Sequence, residues 1–377
     1  MTPSVSHEFA RPTSARTARL ASELAASGVD VAFAFPGSDL KYLLGEELHS
    51  HERLTTLVVP AQGTPTLVLP DLEATAAVHE LAGAAGAAVR TWQDGEDAIA
   101  MALSVGGTLD GNASAVAVSD DAPARHVVPL QDSLGARVRL LTPVLDTLRA
   151  VKSEEEIADL AAAGEAIDRV HRRMAEFLQV GRTEREVAEL IDAAIVEEGH
   201  THAEFIIVGS GPNGADPHHD VSDRRIESGD IVVVDIGGPL PSGYNSDSTR
   251  TYSMGEPSEQ VAREYAELEE AQARSRAAVR PGISANEIDA AGRRHLESVG
   301  LGERFIHRTG HGIGLSVHES PYISSDSDTV LAEGMAFSIE PGIYLRGSWG
   351  ARLEDIVVVT SDGVRELNNA PRGLTVL

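Results

Sequence analysis

At 377 residues, 42% of them hydrophobic, the chain is globular and too long for one ordinary hydrophobic core, so we expect two domains. Its net charge of −27 argues against nucleic acid or an anionic membrane as a partner. The absence of cysteine excludes disulfides and thiol chemistry, and no apolar stretch is typical of a signal peptide or a membrane helix, so we expect a cytoplasmic location.

The first part of the chain alternates helix-like segments with short β-branched runs, which predicts a small α/β domain over residues 1–148. A helix is predicted over 17–27, and strands are predicted at 29–35, 57–60, 66–69 and 115–118. No G-x-G-x-x-G loop and no P-loop occurs here, so the sequence gives little support for a nucleotide site.

A second domain is predicted over residues 149–377. Its first helix begins at a capping box formed by Ser153 and Glu156. Apolar residues with a helical period continue to Leu178, and Gly181 follows as a stop signal, so we expect one long helix with a buried face.

An internal repeat follows that helix. The pattern around Gly181, Thr183 and Glu186 recurs 101 positions later around Gly282, Ser284 and Glu287. Each copy predicts a capped helix that ends at a glycine and leads into a short apolar strand. Two related halves facing each other would bring their side chains to one centre, although capping boxes are common enough for a chance similarity.

Two aspartates lie in neighbouring β-rich segments of the second domain. Asp235 follows the apolar run 231–234 and precedes two glycines, and Asp247 lies in the returning segment 243–251. Either residue alone would be interpreted as a turn or cap residue. Their pairing favours a hairpin in which the two carboxylates face one another.

Two histidines lie seven residues apart in the glycine-rich segment 310–318. His311 stands between glycines that let a metal or substrate approach the backbone closely. His318 is not assumed to be a second ligand. A role in substrate binding or proton transfer competes with that of a structural histidine.

Two glutamates, Glu340 and Glu354, each lie within a strand-like apolar run. Glutamate is depleted from strands and is rarely buried unless it is paired or coordinated. Metal coordination is one explanation, and an ion pair with Arg352 or Arg250 is the alternative.

Together these segments supply four carboxylates, one imidazole and no thiolate, a donor set that suits Mn, Co, Zn or Fe(II). Four carboxylates exceed the needs of one catalytic ion, so two divalent metal ions per chain are expected. The predicted ligands are Asp235, Asp247, His311, Glu340 and Glu354.

From Lys152 to Val359 these motifs resemble those of the pita-bread metallopeptidases, the family of methionine aminopeptidase, Xaa-Pro aminopeptidase and prolidase. The first half is similar to the creatinase-type N-terminal domain of the prolidase branch, including Tyr42-Leu43-Leu44-Gly45. The resemblance implies an α+β fold, with a pseudo-two-fold pita-bread domain after a smaller α/β creatinase-like domain. It also implies a homodimer.

The resemblance implies a role for each site residue. Asp247 and Glu354 would bridge the metals, Asp235 would complete one metal, and His311 and Glu340 would complete the other. Glu340 would also be the general base for a metal-bridging hydroxide. The family pattern further makes His218 and His318 the substrate-binding and proton-transferring histidines, and makes Arg352 the arginine that orients ligands or substrate. We expect His219, beside His218, to face solvent.

The implied activity is hydrolysis of Xaa-Pro bonds, as an aminopeptidase or as a dipeptidase, in a small peptide with proline at the second position. Manganese is the expected metal. Because related folds serve other chemistry, a metal-dependent hydrolase or lyase of a small metabolite is an alternative. A non-enzymatic binding protein would not need all five ligands.

Overall fold

The computed structural model describes residues 13–107, 115–134 and 137–377. The chain divides into two compact units, Met1–Arg149 and Ala150–Leu377. Within the described residues, no helix combines the length and the apolar character needed to cross a membrane.

The first unit contains one six-stranded sheet with helices between its strands. The sheet order is β4-β3-β2-β1-β5-β6, with strands β1 (Val31–Ala34), β2 (Thr56–Pro60), β3 (Thr66–Pro70), β4 (Ala88–Trp92), β5 (Ala115–Val118) and β6 (Arg137–Leu140). The helices are α1 (Thr13–Ala26), α2 (Ser38–Leu44), α3 (Ala76–Ala84), α4 (Ala98–Val105), α5 (Ala124–Leu134) and α6 (Thr142–Arg149). Strand β2 runs antiparallel to both β1 and β3, and the other pairs are parallel. Every residue of β1, β2 and β5 is buried, which explains their continuous apolar sequences.

The second unit carries three sheets. Its helices are α7 (Glu154–Arg172), α8 (Met174–Phe177), α9 (Glu184–Glu197), α10 (Glu259–Ala278) and α11 (Ala285–Ser298). Its strands are β7 (Phe205–Ser210), β8 (Ile231–Pro239), β9 (Asn245–Ser253), β10 (Gly310–Gly312), β11 (Glu319–Ile323), β12 (Ala336–Ile339), β13 (Gly342–Leu345), β14 (Trp349–Arg352), β15 (Asp355–Val359), β16 (Val364–Glu366) and β17 (Thr375–Val376). The sheet orders are β17-β9-β8-β7, β11-β10-β12-β15-β16 and β13-β14.

The long helix predicted to reach Leu178 is interrupted. It begins at the predicted capping box, but α7 ends at Arg172 and α8 starts at Met174. The backbone N–H of Arg173 bonds to Val170, three residues back, which tightens the last turn. Met174 and Phe177 are nevertheless buried in the same core, so the apolar period continues across a break that it could not reveal.

The internal repeat is a structural repeat. Helices α9 and α11 each contain 14 residues, and at the start of each the N-cap backbone N–H donates to a glutamate three residues on, Glu186 and Glu287. Gly181 and Gly282 precede them with positive φ angles of 94° and 85°, and donate equivalent backbone hydrogen bonds of 2.8 Å to Ile226 and Leu331. Each half then forms three neighbouring antiparallel strands. In the first half β7 pairs with β8 and β8 pairs with β9; in the second half β10 pairs with β12 and β12 pairs with β15. Chance similarity of two caps does not explain this agreement.

Each half buries its own apolar core between its helices and its strands. The first core includes Ile167, Val187, Ile191, Val208, Val232 and Val234. The second includes Ile283, Ile288, Phe337, Ile339, Val357 and Val359. Full burial of one such side chain contributes about 1.5–3 kcal/mol, so these two cores fix the strands from which the site residues project.

Candidate active site

The sequence predicts that Asp235 and Asp247 face each other across a hairpin. They do lie on the β8–β9 hairpin, but they are not directly opposite each other. Asp235 pairs with Thr249, and Asp247 pairs with Gly237, so the two aspartates are diagonal neighbours. Residues two apart along a strand share a face, and therefore both carboxylates still project to the same side. The sequence could not fix this register because the loop length was unknown.

The sequence predicts that Glu340 and Glu354 lie inside strands. Both residues instead lie just beyond strand ends. Glu340 follows β12 directly and precedes Pro341, which has no N–H for continued pairing. Glu354 occupies the break between β14 and β15. The backbone N–H of Glu340 donates to the carbonyl of Thr309, and that of Glu354 donates to the carbonyl of Thr249. Their backbones are thus held by neighbouring segments of the sheet.

His311 lies on β10 with its ring fixed from both sides. Its Nδ1 lies 3.1 Å from the carbonyl oxygen of Gly312, which requires a proton on Nδ1. Its Nε2 lies 3.2 Å from Oε1 of Glu340 and 3.5 Å from Oδ2 of Asp247. With Nδ1 acting as donor, Nε2 is the nitrogen that faces the carboxylates and could bind a cation.

The five predicted ligands converge from both halves of the repeat. Ligand atoms of Asp247, His311 and Glu354 lie within 4.8 Å of one another, and all three residues are buried. Glu340 joins them through His311. The fifth residue, Asp235, is close enough for its charge to raise the pKa values of Asp247 and Glu354.

The buried carboxylates of the site repel one another. Burial, followed by the charge of Asp235, raises the pKa of Asp247 well above its usual value, and burial with Asp247 does the same at Glu354. Burial opposes ionisation of Glu340 too, but the hydrogen bond and charge of His311 lower its pKa to about 2.

The residues present fit divalent cations. Among the described residues, Oδ1 of Asp235 is buried and has no hydrogen-bond partner, which is costly unless another group satisfies it. Hard carboxylate oxygens with one imidazole are the donors that Mn, Zn, Co and Fe(II) accept.

The alternative explanation, ion pairs of the glutamates with arginine, is not supported. Arg250 pairs with Asp355 at 2.7 Å and Arg352 pairs with Asp235 at 2.6 Å. In the described part of the chain, no arginine lies within ion-pair distance of the Glu354 carboxylate.

Arg352 organises the surroundings of Asp235. Its guanidinium donates to Oδ2 of Asp235 at 2.6 Å, to the hydroxyl of Tyr344 at 2.9 Å, to the carbonyl of Pro217 at 3.2 Å and to the hydroxyl of Thr249 at 3.1 Å. Thr249 in turn donates to Oε2 of Glu354 at 2.8 Å. One buried arginine therefore connects carboxylates contributed by both halves.

Sequence reasoning missed Thr249, Tyr344 and His307. The Tyr344 hydroxyl accepts from Arg352 and lies 2.9 Å from Nε2 of His307, whose Nδ1 faces the carbonyl of Arg308. His307 precedes His311 by four residues, and this spacing was the available signal. Nothing local to Tyr344 or Thr249 reveals their contacts, which cross between segments distant in sequence.

His318 lies against His311, with ring centroids 4.1 Å apart and an interplanar angle of 61°. Burial, and then the charges of His311 and Arg308, lower its pKa to about 4, so the ring is neutral near pH 7. His218 is exposed and lies near enough to His307 and His318 to influence their pKa values electrostatically. The structure therefore places His318 against the ligand cluster and His218 in the neighbourhood of His318.

His219 was expected to face solvent, and this expectation is wrong. Its side chain is only 14% exposed, and its Nε2 lies 2.7 Å from Oε2 of Glu184. Glu184 is the first residue of α9, where an acidic residue ordinarily signals only a favourable helix start. Its fully buried carboxylate instead holds the loop that carries His218.

Comparison with known proteins identifies relatives across both units. Residues 158–361 match metallopeptidase family M24, and residues 16–151 match the creatinase/prolidase N-terminal domain. The chain is similar to the probable dipeptidase PepE of Mycobacterium tuberculosis, with 53% identity over 96% of each chain. It is also similar to the Xaa-Pro dipeptidase of Pyrococcus furiosus, with 41% identity over 61% of this chain and 66% of the relative.

The solved structures agree. The crystal structure of dipeptidase PepE from Mycobacterium ulcerans superimposes with a TM-score of 0.92 and 51% identity, covering 97% of this chain and 98% of the other. The predicted fold, a creatinase-like domain followed by a pita-bread domain, is thereby confirmed.

Proposed function

This chain belongs to metallopeptidase family M24, and on that premise we propose that it hydrolyses Xaa-Pro dipeptides with two divalent metal ions. The observation that carries the proposal is the buried convergence of Asp247, His311 and Glu354 with the unsatisfied Asp235 oxygen. The named Xaa-Pro dipeptidase and PepE dipeptidases among the relatives support the choice of substrate.

In this proposal Asp235, Asp247, His311, Glu340 and Glu354 would hold the metals. When bound, the two cations would lower the pKa of a water molecule and polarise the scissile carbonyl. Manganese is the metal we propose.

The protein's own residues would position substrate and move protons. Glu340, in contact with Ser338 and His311, would accept a proton from water. His318 and His218, beside the ligand cluster, would contact the substrate and return a proton to the leaving proline nitrogen. Arg352 would keep Asp235 oriented through its short hydrogen bond.

Arg308 would bind the terminal carboxylate of a dipeptide. Its guanidinium lies 4.7 Å above the ring of Tyr322, the register partner of His311 on the neighbouring strand. Register partners in antiparallel strands project to the same face, so Arg308 is placed on the side of the sheet that His311 uses. No carboxylate of the described residues forms an ion pair with Arg308, which leaves its charge available to a carboxylate ligand.

Two alternatives share the same site. An Xaa-Pro aminopeptidase would accept longer peptides, and a metal-dependent hydrolase or lyase would act on a small metabolite. The arginine beside the site favours a substrate with a nearby carboxylate, and the relatives favour a dipeptide. A homodimer in the cytoplasm is also proposed, and analytical ultracentrifugation would test the dimer.

The test is hydrolysis of Gly-Pro and Ala-Pro beside a Gly-Pro-X tripeptide, using metal-stripped protein reloaded with Mn, Co or Zn. We expect dipeptide cleavage and two bound metals per chain. The Asp247→Asn variant should lose both. The matched control is Asp168→Asn, which alters an equally buried aspartate whose contacts are Asn368 and the N–H groups of residues 369 and 370. Tripeptide cleavage would establish an aminopeptidase, and bound metals without cleavage of either peptide would refute the peptidase proposal.

A further inference from the structure

The loop that carries His218 is organised around one buried carboxylate. Glu184 has no exposed side-chain surface. Its Oε1 accepts hydrogen bonds from the N–H and hydroxyl of Ser210 at 2.8 and 2.6 Å, and from Asn213 at 3.0 Å. Its Oε2 accepts from the N–H and hydroxyl of Ser222 at 3.2 and 2.6 Å, and from His219 at 2.7 Å. Glu184 thus binds both ends and the middle of segment 210–222.

These contacts keep the carboxylate ionised. Burial alone would raise the pKa of Glu184, but the hydrogen bonds from Ser210, Ser222 and His219 outweigh burial and lower it. Within the described residues, no arginine or lysine forms an ion pair with Glu184, so hydrogen-bond donors of the loop supply its stabilisation. A carboxylate that needs this many donors imposes one conformation on the loop that provides them.

His218 lies between two fixed neighbours. On one side, the carbonyl of Pro217 accepts a hydrogen bond of 3.2 Å from Arg352, which also binds Asp235. On the other side, the His219 ring is tied to Glu184. The His218 ring itself is exposed. Its backbone is therefore held from the ligand cluster and from α9 at once, while its side chain stays available.

The loop also packs too closely for large adjustments. A Cβ atom added at Gly350 of β14 would overlap the carbonyl oxygen of Gly214. A Cβ atom added at Gly214 would lie 3.0 Å from the carbonyl oxygen of Gly209. The backbone at Gly214 is therefore packed against β14 and β7, and the contact of His219 with Glu184 holds the segment that follows it.

We propose that His219 is a positioning residue which, together with Glu184, aims His218 at the substrate. The inference rests on the substrate role proposed above for His218. One member of the His-His pair would act on the substrate, and its neighbour would fix the geometry without touching the substrate. Loss of this tie would displace His218 while leaving the metal ligands in place.

The experiment compares His219→Ala, His219→Gln, His218→Ala and the double variant His218→Ala/His219→Ala in the metal-loaded full chain. We expect His219→Ala to lower kcat for Gly-Pro by about 10- to 100-fold, the cost of misplacing a catalytic group by roughly 1 Å. Metal content should stay unchanged, whereas Tm should fall because alanine removes one hydrogen-bond donor from a buried carboxylate. His219→Gln keeps an N–H donor near the position of Nε2, and should restore most of the activity.

The double variant separates positioning from a general structural role. If His219 acts through His218, removing His219 from a chain that already lacks His218 should have no further effect. The matched control is His295→Ala, which removes another mostly buried histidine bonded to a glutamate, Glu267, at 2.8 Å. That variant should keep wild-type kcat.

Three results would overturn the inference: wild-type kcat in His219→Ala, additive losses in the double variant, or a His219→Gln variant no better than His219→Ala. Failure of the proposed function is distinguishable from these results. In that case His218→Ala would itself match the wild type, or the wild-type chain would cleave neither peptide.

Discussion

Replacement of Thr249 by valine should weaken metal binding without disturbing the fold. The Thr249 hydroxyl receives a hydrogen bond of 3.1 Å from Arg352 and donates one of 2.8 Å to Glu354. Valine has nearly the same shape, so the change removes the hydroxyl and leaves two buried charged groups each lacking one partner. Thr249 also pairs with Asp235 across the hairpin, so it lies next to three charged residues of the site.

The expected size of the effect follows from these two contacts. A hydrogen bond to a charged group contributes about 1.5–3 kcal/mol, and about 1.36 kcal/mol corresponds to a tenfold change. Part of this loss falls on the orientation of Glu354, so we expect metal affinity and kcat/KM to fall by about 10- to 100-fold, as for other residues that orient metal ligands. Calorimetric titration of metal-stripped protein with Mn gives the affinity, and Gly-Pro hydrolysis gives kcat/KM.

Thr251→Val is the matched control for this experiment. Thr251 lies two residues further on the same strand and is 1% exposed, but among the described residues its hydroxyl bonds only to the backbone of Arg352, at 2.9 and 3.2 Å. Both variants should lower Tm to a similar extent, and only Thr249→Val should lose metal affinity. Equal metal affinities in the two variants would refute the reasoning.

Two further predictions concern substrate binding and acid stability. Arg308→Ala should raise KM for Gly-Pro by about 10- to 100-fold, but it should leave KM unchanged for Gly-Pro-amide, which lacks the carboxylate charge. The control is Arg346→Ala, on an exposed turn. Equal effects of Arg308→Ala on the two substrates would count against a carboxylate site. Burial lowers the pKa of His171 from 6.5 to about 3. Between these two values the His171 ring is neutral in the folded state, whereas it takes up a proton in the unfolded state. The contribution of His171 to the free energy of unfolding should therefore fall by about 1.4 kcal/mol per pH unit as the pH drops from 6.5 toward 3. Urea unfolding of wild type and His171→Gln at pH 7.5 and pH 5 should show the variant gaining relative stability at the lower pH, and a pH-independent difference would contradict this.

The sequence predicted those parts of the site that depend on local pattern. Apolar runs interrupted by a single carboxylate located the segments of Asp235 and Glu340, because glutamate or aspartate next to buried strands requires a partner. The capping boxes located α9 and α11, because two reciprocal hydrogen bonds three residues apart leave a local signature. Spacing along the chain is therefore enough to indicate the repeat.

Contacts between distant segments could not be predicted in this way. Glu184 and His219 are 35 residues apart, and each has an ordinary local explanation, as a helix-start acid and a loop histidine. The strand register of Asp247 depends on where the hairpin closes. The break after α7 leaves the apolar period intact. In each case the local sequence is compatible with more than one arrangement, and tertiary packing determines which arrangement forms.

The repeat gives any bound cation a mechanical role. Asp235 and Asp247 belong to the first half, whereas His311, Glu340 and Glu354 belong to the second, so the ligands lie on two separately cored bodies. Without cations, like charges would oppose each other across this boundary. If cations bind, each ion would link the two halves. Binding to the folded state alone would add RT ln(1 + [L]/Kd) to the free energy of unfolding, about 2.7 kcal/mol when the free metal concentration is a hundredfold above Kd. Chelation of the metal would then lower the stability of the fold as well as the activity.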